Sequence, residues 1–163
     1  MNTFKKIGVS IYSGEEAKKA LNNDWITSIQ FPYNLLDRRM IDENFKNHNK
    51  QNLQLIARSI FLKGALTPRV KNLPSEMNEL KNYVELVSDK LSCNYKKLAE
   101  ISLRFVLHQK KINYMLLGAS SESEILNIFN AYNKGSLESK ELEIIKDFNV
   151  KDKRILDPRC WPI

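Results

Sequence analysis

The stretch KKIGVSIYSGEEAKKALNN, residues 5–23, decides the predicted fold. Its first half contains an apolar run that starts at Ile7, is typical of a β-strand and stops before Gly14. Ser13 and Glu16 have the spacing of a capping box, so a helix is predicted to begin directly after the strand. A strand that passes straight into a helix is typical of the interior of a repeating β/α protein.

The same alternation of strand and helix continues along the chain. Strands are predicted over residues 5–12, 27–34, 53–61 and 112–119. Helices are predicted over residues 14–23, 40–52, 75–92, 94–109, 120–135 and 137–148. The last strand is expected to be buried because of its apolar composition. Apolar strands that alternate with helices indicate a parallel sheet covered by helices.

Two further features support these boundaries and point to a ligand site. Asn94 and the pair Ser121 and Glu124 have the pattern of helix caps, and Gly135 marks a helix end. The carboxyl ends of parallel strands are where ligands bind in β/α folds. Three of the predicted strands end in small or polar residues: Ser10 to Ser13, Ser59, and Gly118-Ala119-Ser120.

Length and composition predict one domain in an aqueous compartment. The chain has 163 residues, of which 42% are hydrophobic and 28% charged, as is usual for a globular protein. Its apolar runs are shorter than the about 20 residues of a membrane span, and its first residues do not have the pattern of a secretory signal. Cys93 and Cys160 have neither a metal-binding nor a disulfide spacing. We therefore expect a cytoplasmic protein with no metal and no membrane partner.

The formal net charge of +7 raises the possibility of a nucleic-acid partner. The lysines, however, are scattered and often stand beside acidic residues, as in EEAKKAL and LESKELEIIKD. No aromatic and basic platform accompanies them. A solvated basic surface is therefore favoured over nucleic-acid binding.

Six segments, taken in order, resemble a known family. They are IGVSIYS, SIQFPYNLLDRR, ARSIFLKGAL, LAEISLRFVL, LLGASSESEIL and SLESKELEII. Together they resemble the C-terminal half of an aldo-keto reductase, a (β/α)8 TIM barrel that uses NADPH, at strands five to eight. The resemblance implies an α/β fold that is half of this barrel, with residues 1–148 as the C-terminal half of the domain and 149–163 as a tail. A complete barrel takes about 250 residues.

The resemblance also implies that the catalytic set is missing. The family's Asp, Tyr, Lys and His lie on its first four strands, and no position here matches them. His48 and His108 are the only histidines and are expected to be structural or solvated. Tyr12 and Tyr33 stand near strand ends, but no lysine has the spacing to activate either. We expect no catalytic residue, and no reductase activity from this chain alone.

The cofactor residues of the family, in contrast, have matching positions. The resemblance implies that Ser10 and Gln30 bind the nicotinamide carboxamide and that Arg58 replaces the aromatic residue that stacks on the nicotinamide. The remaining NADP(H) positions lie along the pyrophosphate, at a helix start and at the adenine end: Ser59, Phe61, Gly64, Gly118, Ala119, Ser120 and Glu124. No arginine clearly matches the one that binds the 2′-phosphate.

Each of these residues also has a structural interpretation. Ser121 and Glu124 would serve only as a helix cap, Gly118 would permit a close approach of helix and strand, and Gln30 would bridge strands. The sequence leaves both interpretations open.

Half a barrel has two unpaired strand edges and one uncovered sheet face. Three outcomes follow: pairing with a separately encoded N-terminal half, pairing with a second copy, or a remnant without activity. The alternatives to a reductase are therefore one half of a split enzyme, or a non-catalytic nucleotide-binding or interaction module.

Overall fold

The computed structural model describes residues 4–148, 150 and 152–162, and their strands form one parallel sheet. Its strand order is β1-β2-β3-β4, so β1 and β4 are the edges. All three neighbouring pairs run parallel, as predicted. The strands are β1 (Ile7–Ser10), β2 (Ile26–Pro32), β3 (Gln54–Arg58) and β4 (Tyr114–Met115).

Five α-helices follow or cover these strands. They are α1 (Gly14–Leu21), α2 (Asn78–Lys90), α3 (Tyr95–His108), α4 (Glu122–Asn133) and α5 (Ser139–Lys146). A π-helical turn occupies Met40–Phe45, and 3₁₀ turns occupy Leu62–Gly64, Pro68–Asn72, Ser75–Met77, Lys153–Leu156 and Pro158–Cys160. None of the helices in the described ranges has the length and apolar character needed to cross a bilayer.

The predicted cap of α1 is confirmed. The Ser13 hydroxyl accepts the Glu16 backbone N–H at 3.2 Å, and the Glu16 carboxylate accepts the backbone N–H groups of Ser13 and Tyr12. These bonds satisfy donors that the first helical turn would otherwise leave unpaired. They also turn the chain sharply at the carboxyl end of β1.

The hydrophobic core lies on one face of the sheet. Ile29, Phe31, Leu55 and Ala57 alternate along β2 and β3 and are almost completely buried, because the helices pack on this side. The intervening residues point to the opposite, inward face and are only half-buried or exposed. Ser10, Gln30, Ile56 and Tyr114 form one row of register partners across that face.

Two predicted elements are wrong in extent. The helix predicted over 40–52 ends at Phe45, because only Met40, Ile41 and Phe45 find a place in the core, and the Asn-rich continuation favours turns. The strand predicted over 112–119 pairs only at Tyr114–Met115.

The burial predicted for that last strand is also wrong. Tyr114 is 54% exposed and Leu116 is 49% exposed. An apolar composition produces burial only where neighbours exist on both sides, and β4 has a neighbour only on the β3 side.

The residues after α5 pack onto the carboxyl end of the sheet. Leu156 and Trp161 are buried, and the Trp161 indole N–H donates to the Ile155 carbonyl at 3.0 Å. The Arg38 guanidinium donates to the carbonyls of Ile145 and Phe148, which ties the end of α5 to the segment after β2. The tail thus contributes to the region where a ligand site was predicted.

Candidate functional site

A cleft of about 1290 Å³ opens beyond the carboxyl ends of β3 and β4. Its walls are the loop after β3, the first turns of α3, the loop from β4 into α4, and the tail near Arg159. This is the edge of a parallel sheet at which β/α proteins bind ligands.

The structure brings most of the predicted cofactor residues together at this cleft. Ser10 and Gln30 are the exceptions: they are register partners on β1 and β2 and do not line it. The predicted site therefore consists of a cleft and a separate pair on the inward face of the sheet. The predicted residues that line the cleft are Arg58, Ser59, Phe61, Gly64, Gly118, Ala119, Ser120 and Glu124.

The cleft carries an excess of positive charge. Glu100 and Glu124 are its only acidic residues among those described, and both are already paired with basic side chains. In the described part of the chain, Arg58, Lys63 and Lys96 form no ion pair, so their charges are available to a ligand. Such a surface favours anions. The basic residues that line the cleft are Arg58, Lys63, Arg69, Lys96, Lys97, Lys134 and Arg159.

The loop after β3 has an unusual backbone. Ser59, Leu62 and Lys63 have φ values of 58°, 45° and 51°, and Gly64 has a φ of 93°. Non-glycine residues rarely adopt positive φ, and such residues cluster at ligand-binding sites. At Gly64 a Cβ atom would also lie 3.2 Å from Cδ of Arg69. The positive φ therefore favours glycine at this position, and any Cβ there would be in tight contact with the Arg69 side chain.

Arg69 links this loop to the start of α4. Its Nη2 donates to Ser120 Oγ at 2.7 Å and to Glu124 Oε1 at 2.5 Å. Glu124 Oε2 accepts the Ser120 backbone N–H at 2.7 Å, and this bond, reinforced by Arg69, lowers the pKa of the Glu124 carboxyl. The contact of this arginine with Ser120 could not be predicted, because 51 residues separate the two. The only local signal is the Thr67-Pro68 turn that precedes it.

The capping box predicted at α4 is only half formed. Ser121 caps the helix by accepting the Glu124 backbone N–H at 3.2 Å. The Glu124 carboxylate, however, turns to Ser120 and Arg69 and does not return to the Ser121 N–H. Glu124 is therefore part of the cleft wall as well as the first turn of α4.

Tyr12 lies under two guanidinium groups. The Arg58 and Arg159 guanidinium carbons lie 4.0 Å and 3.4 Å from the centre of its ring, a cation–π arrangement. Arg58 also donates to the Ile11 carbonyl at 3.3 Å, and Arg159 is held by Asp157 at 2.6 Å. Arg58 therefore stacks on a side chain of the chain itself. The contact of Arg159 with Tyr12 was missed because nothing near Arg159 in the sequence indicates it.

Glu100 connects α3 and α4 at the far wall. Its carboxylate binds Lys97 and Lys134 at 2.7 Å each and approaches Arg104 at 3.4 Å. Burial alone would raise the pKa of Glu100, but the bonds from Lys134 and Lys97 outweigh it and lower the pKa. This network fixes the spacing of the two helices that bound the cleft.

Tyr33 does not have the surroundings of an activated proton donor. Burial raises the pKa of Tyr33 to about 12, and its ring stacks on Phe105 with 5.5 Å between centroids. In the described part of the chain no histidine lines the cleft. His48 is half-buried beside Phe45, and His108 is exposed at the end of α3.

The packing interpretation of Gly118 is wrong. A Cβ built at Gly118 would have no atom within 4 Å, so no close approach of helix and strand requires a glycine there. Within the described ranges, no group of three His, Cys, Asp or Glu side chains could hold a metal ion.

The fold and the cleft define an α/β protein with a large cationic cleft at the carboxyl edge of a parallel sheet. A model of the Aldo/keto reductase family matches residues 3–150. The chain therefore belongs to the aldo/keto reductase family.

Solved structures with the same fold include an aldo-keto reductase, AKR11C1 from Bacillus halodurans. Its apo form matches with a TM-score of 0.71 and its holo form with 0.73, both at 22% sequence identity. Each match covers 90% of this chain, but only 51% and 50% of the solved chains. The chain thus spans about half the length of these proteins. A comparison with curated proteins gives no match.

Proposed function

We propose that the chain forms strands five to eight of an aldo-keto reductase barrel and supplies its NADP(H)-binding half. The observation that carries this proposal is the convergence of eight predicted cofactor residues on one cationic cleft. The family match and the half-length coverage of solved relatives support it. On this proposal residues 1–148 are the half-barrel domain, and the tail from 149 adds Arg159 to the cleft.

The cleft fits the chemistry of a dinucleotide phosphate. Its volume of about 1290 Å³ exceeds the about 300–1,000 Å³ of ordinary ligand pockets, as an extended cofactor requires. The Ser59–Gly64 loop and Gly118 to Ser120 would bind the diphosphate, with the unpaired charge of Lys63 beside them. Arg69 would bind the remaining phosphate by exchanging part of its contact with Glu124. When bound, NADP(H) supplies the hydride.

Ser10 and Gln30 would hold the nicotinamide end. A hydroxyl and a side-chain amide together provide the donors and acceptors that a carboxamide needs. The pair is connected to the cleft through Ile11, whose N–H donates to the Gln30 backbone carbonyl at 2.8 Å and whose own carbonyl accepts from Arg58. A cofactor reaching from the cleft to this pair would pass the Arg58–Tyr12 stack.

Carbonyl reduction also needs a proton donor. We propose that this donor, with the rest of the family's Asp, Tyr, Lys and His set, belongs to a complementary N-terminal half, wherever that half is encoded. A second candidate function is nucleotide binding without turnover. It is favoured because the chain forms the cleft by itself. Tyr33, in contrast, is deeply buried with a raised pKa, which does not suit a proton donor.

The binding part is tested by titrating the purified chain with NADPH and following cofactor fluorescence. Replacing Arg69 by Ala should weaken binding about tenfold or more, the usual loss for a hydrogen bond from a charged group. Arg154→Ala is the matched control, because it removes the same charge from an exposed arginine outside the cleft. No binding at high micromolar NADPH, or equal losses in both variants, would contradict the proposal.

The catalytic part is tested by aldehyde-dependent NADPH oxidation. The chain alone should show no turnover above buffer. The addition of an N-terminal half that carries the family's catalytic set should restore it if the halves assemble. Turnover by the chain alone would show that the acid–base group lies within these residues.

A further inference from the structure

Arg58 lies directly beyond Ser10 and Gln30 on the inward face of the sheet. Ile56 is the β3 partner of Gln30, and Arg58 follows it two residues later, so the two side chains point to the same face. Two residues of a strand span about 7 Å. Arg58 therefore lies one step nearer the carboxyl edge than the pair proposed to hold the nicotinamide end.

The Arg58 guanidinium reaches back across β2 toward the end of β1. It donates to the Ile11 carbonyl at 3.3 Å, and its central carbon lies 4.0 Å from the centre of the Tyr12 ring. Ile11 directly follows Ser10, and its N–H is bonded to the Gln30 backbone carbonyl. These contacts hold the guanidinium beside the Ser10 and Gln30 pair.

The charge of Arg58 is not neutralised by the carboxylates around Tyr12. Asp157 binds Arg159 at 2.6 Å, and Glu16 accepts the backbone N–H groups of the loop after β1. In the described part of the chain, neither carboxylate forms an ion pair with Arg58. This arginine therefore places an uncompensated positive charge at this end of the site.

The two forms of a nicotinamide cofactor differ in charge at the ring. The oxidised ring carries a positive charge, the reduced ring is neutral, and the adenosine and phosphate groups are the same in both. Like charges a few ångströms apart repel each other, whereas a neutral ring is not repelled. A cation at the nicotinamide end therefore distinguishes the two forms, while contacts with the phosphates do not.

We propose that Arg58 makes this site bind NADPH about tenfold more tightly than NADP⁺. The inference rests on the proposed function, since it takes Ser10 and Gln30 as the residues that hold the nicotinamide end. A tenfold ratio lies between the effects of two unit charges a few ångströms apart in water and near a protein surface. Weak binding of the oxidised form favours its release, a step that limits many enzymes.

Arg159 should contribute less than Arg58 to this preference. Its guanidinium carbon lies 3.4 Å from the centre of the same tyrosine ring, but Asp157 compensates its charge. The preference should also shrink as NaCl is added, because salt screens the repulsion at the ring. Salt weakens the phosphate contacts of both forms alike, so the ratio of the two dissociation constants isolates the nicotinamide end.

The test measures both dissociation constants on the purified chain by isothermal titration calorimetry. Displacement of NADPH by NADP⁺, followed by cofactor fluorescence, gives the same ratio independently. Arg58→Gln should bring the two constants within about twofold of each other, whereas Arg58→Lys keeps the charge and should retain most of the preference. Arg159→Gln should reduce the preference by less than Arg58→Gln. Circular dichroism shows whether each variant is folded.

Lys96→Gln is the matched control. Lys96 lines the cleft from the first turn of α3 and forms no ion pair with the described residues. Its replacement removes one positive charge from the cleft but none from the inward face of the sheet. The variant should bind both forms more weakly and leave their ratio unchanged.

These outcomes decide the inference. It is overturned if the parent binds both forms equally, if its preference does not shrink with NaCl, if Arg58→Gln keeps the preference, if Arg58→Lys loses it as fully as Arg58→Gln, or if Lys96→Gln abolishes it. Equal binding of both forms would leave the proposed function intact. Absence of binding by either form would contradict the proposed function and this inference together.

Discussion

The two sides of the sheet differ more than any other two regions of this molecule. On the helix-covered side, Phe31 and its neighbours on β2 and β3 are almost fully buried. On the other side, Ser10 and Tyr114 are exposed and Gln30 and Ile56 are only half-buried. The difference follows from the helices, which pack on the first side.

The comparison shows that an apolar residue stabilises the fold only where it is covered. β3 lies between two strands and under helices, whereas β4 has one neighbour and α4 buries only Ala131 completely. We expect the stability of the monomer to come from the covered side.

The largest expected effect on stability comes from comparing a buried ring, Phe31, with an exposed ring, Phe129. Phe31→Ala should lower the free energy of unfolding by about 3–5 kcal/mol, because it leaves a cavity beside Phe45, whose ring lies 4.9 Å away. Phe129→Ala should change it by less than about 0.5 kcal/mol, because the ring is 59% exposed. Urea unfolding measures both. Similar losses would mean that the Phe129 ring is buried in the folded chain.

A second pair compares the two walls of the cleft. Gly64→Ala should cost about 1–2 kcal/mol, because it places a Cβ at positive φ and against Arg69. Gly118→Ala should be nearly neutral, since open space surrounds that position. Thermal and urea unfolding of both variants check this. A cost at Gly118 equal to that at Gly64 would contradict the difference between the walls.

The Glu100 network predicts a pH-dependent effect. The pKa of Glu100 is below its ordinary value of 4.5, so its stabilisation is present above that pH and is lost as the pH falls. Glu100→Gln should cost about 1 kcal/mol at neutral pH, as is usual for partly exposed pairs. The difference between variant and parent should shrink in acid. A constant difference between pH 7 and pH 3 in urea unfolding would show that charge is not the cause.

The smallest expected effect concerns the helix caps. Ser13→Ala should cost about 1 kcal/mol of global stability, because α1 packs on the covered side. Ser121→Ala should change global stability by less than about 0.5 kcal/mol, because α4 can open locally. Hydrogen exchange should instead show faster opening of the α4 amides. Equal global losses would indicate that α4 unfolds together with the core.

Much of the fold could be predicted from local patterns. The cap at Ser13, the cap at Asn94 and the apolar stripe of α2 each depend on residues within a few positions of one another. These interactions are satisfied in the same way wherever the segment lies, so sequence spacing is sufficient to find them. The parallel direction then follows from the alternation of strands and helices. The strand order does not, because doubly wound sheets with other strand orders show the same alternation.

The cleft could be predicted only in part. The cofactor positions were predicted from the resemblance of short segments to the family. The structure brings two of them, Arg58 and Glu124, to the walls of the same cleft although they lie far apart in the chain. Arg69 and Arg159 were missed because their partners, Ser120 and Tyr12, are distant in sequence. No local pattern encodes such a pair.

Local chemistry, readable from the chain alone, determined where strands and helices begin, their parallel arrangement and the family to which the protein belongs. Three-dimensional packing decided which apolar segments are covered, how Glu124 is shared between the first turn of α4 and the cleft wall, and which arginines reach the cleft. The physical reason is that burial and ion pairing depend on neighbours, and neighbours distant in sequence are assigned only when the chain has folded.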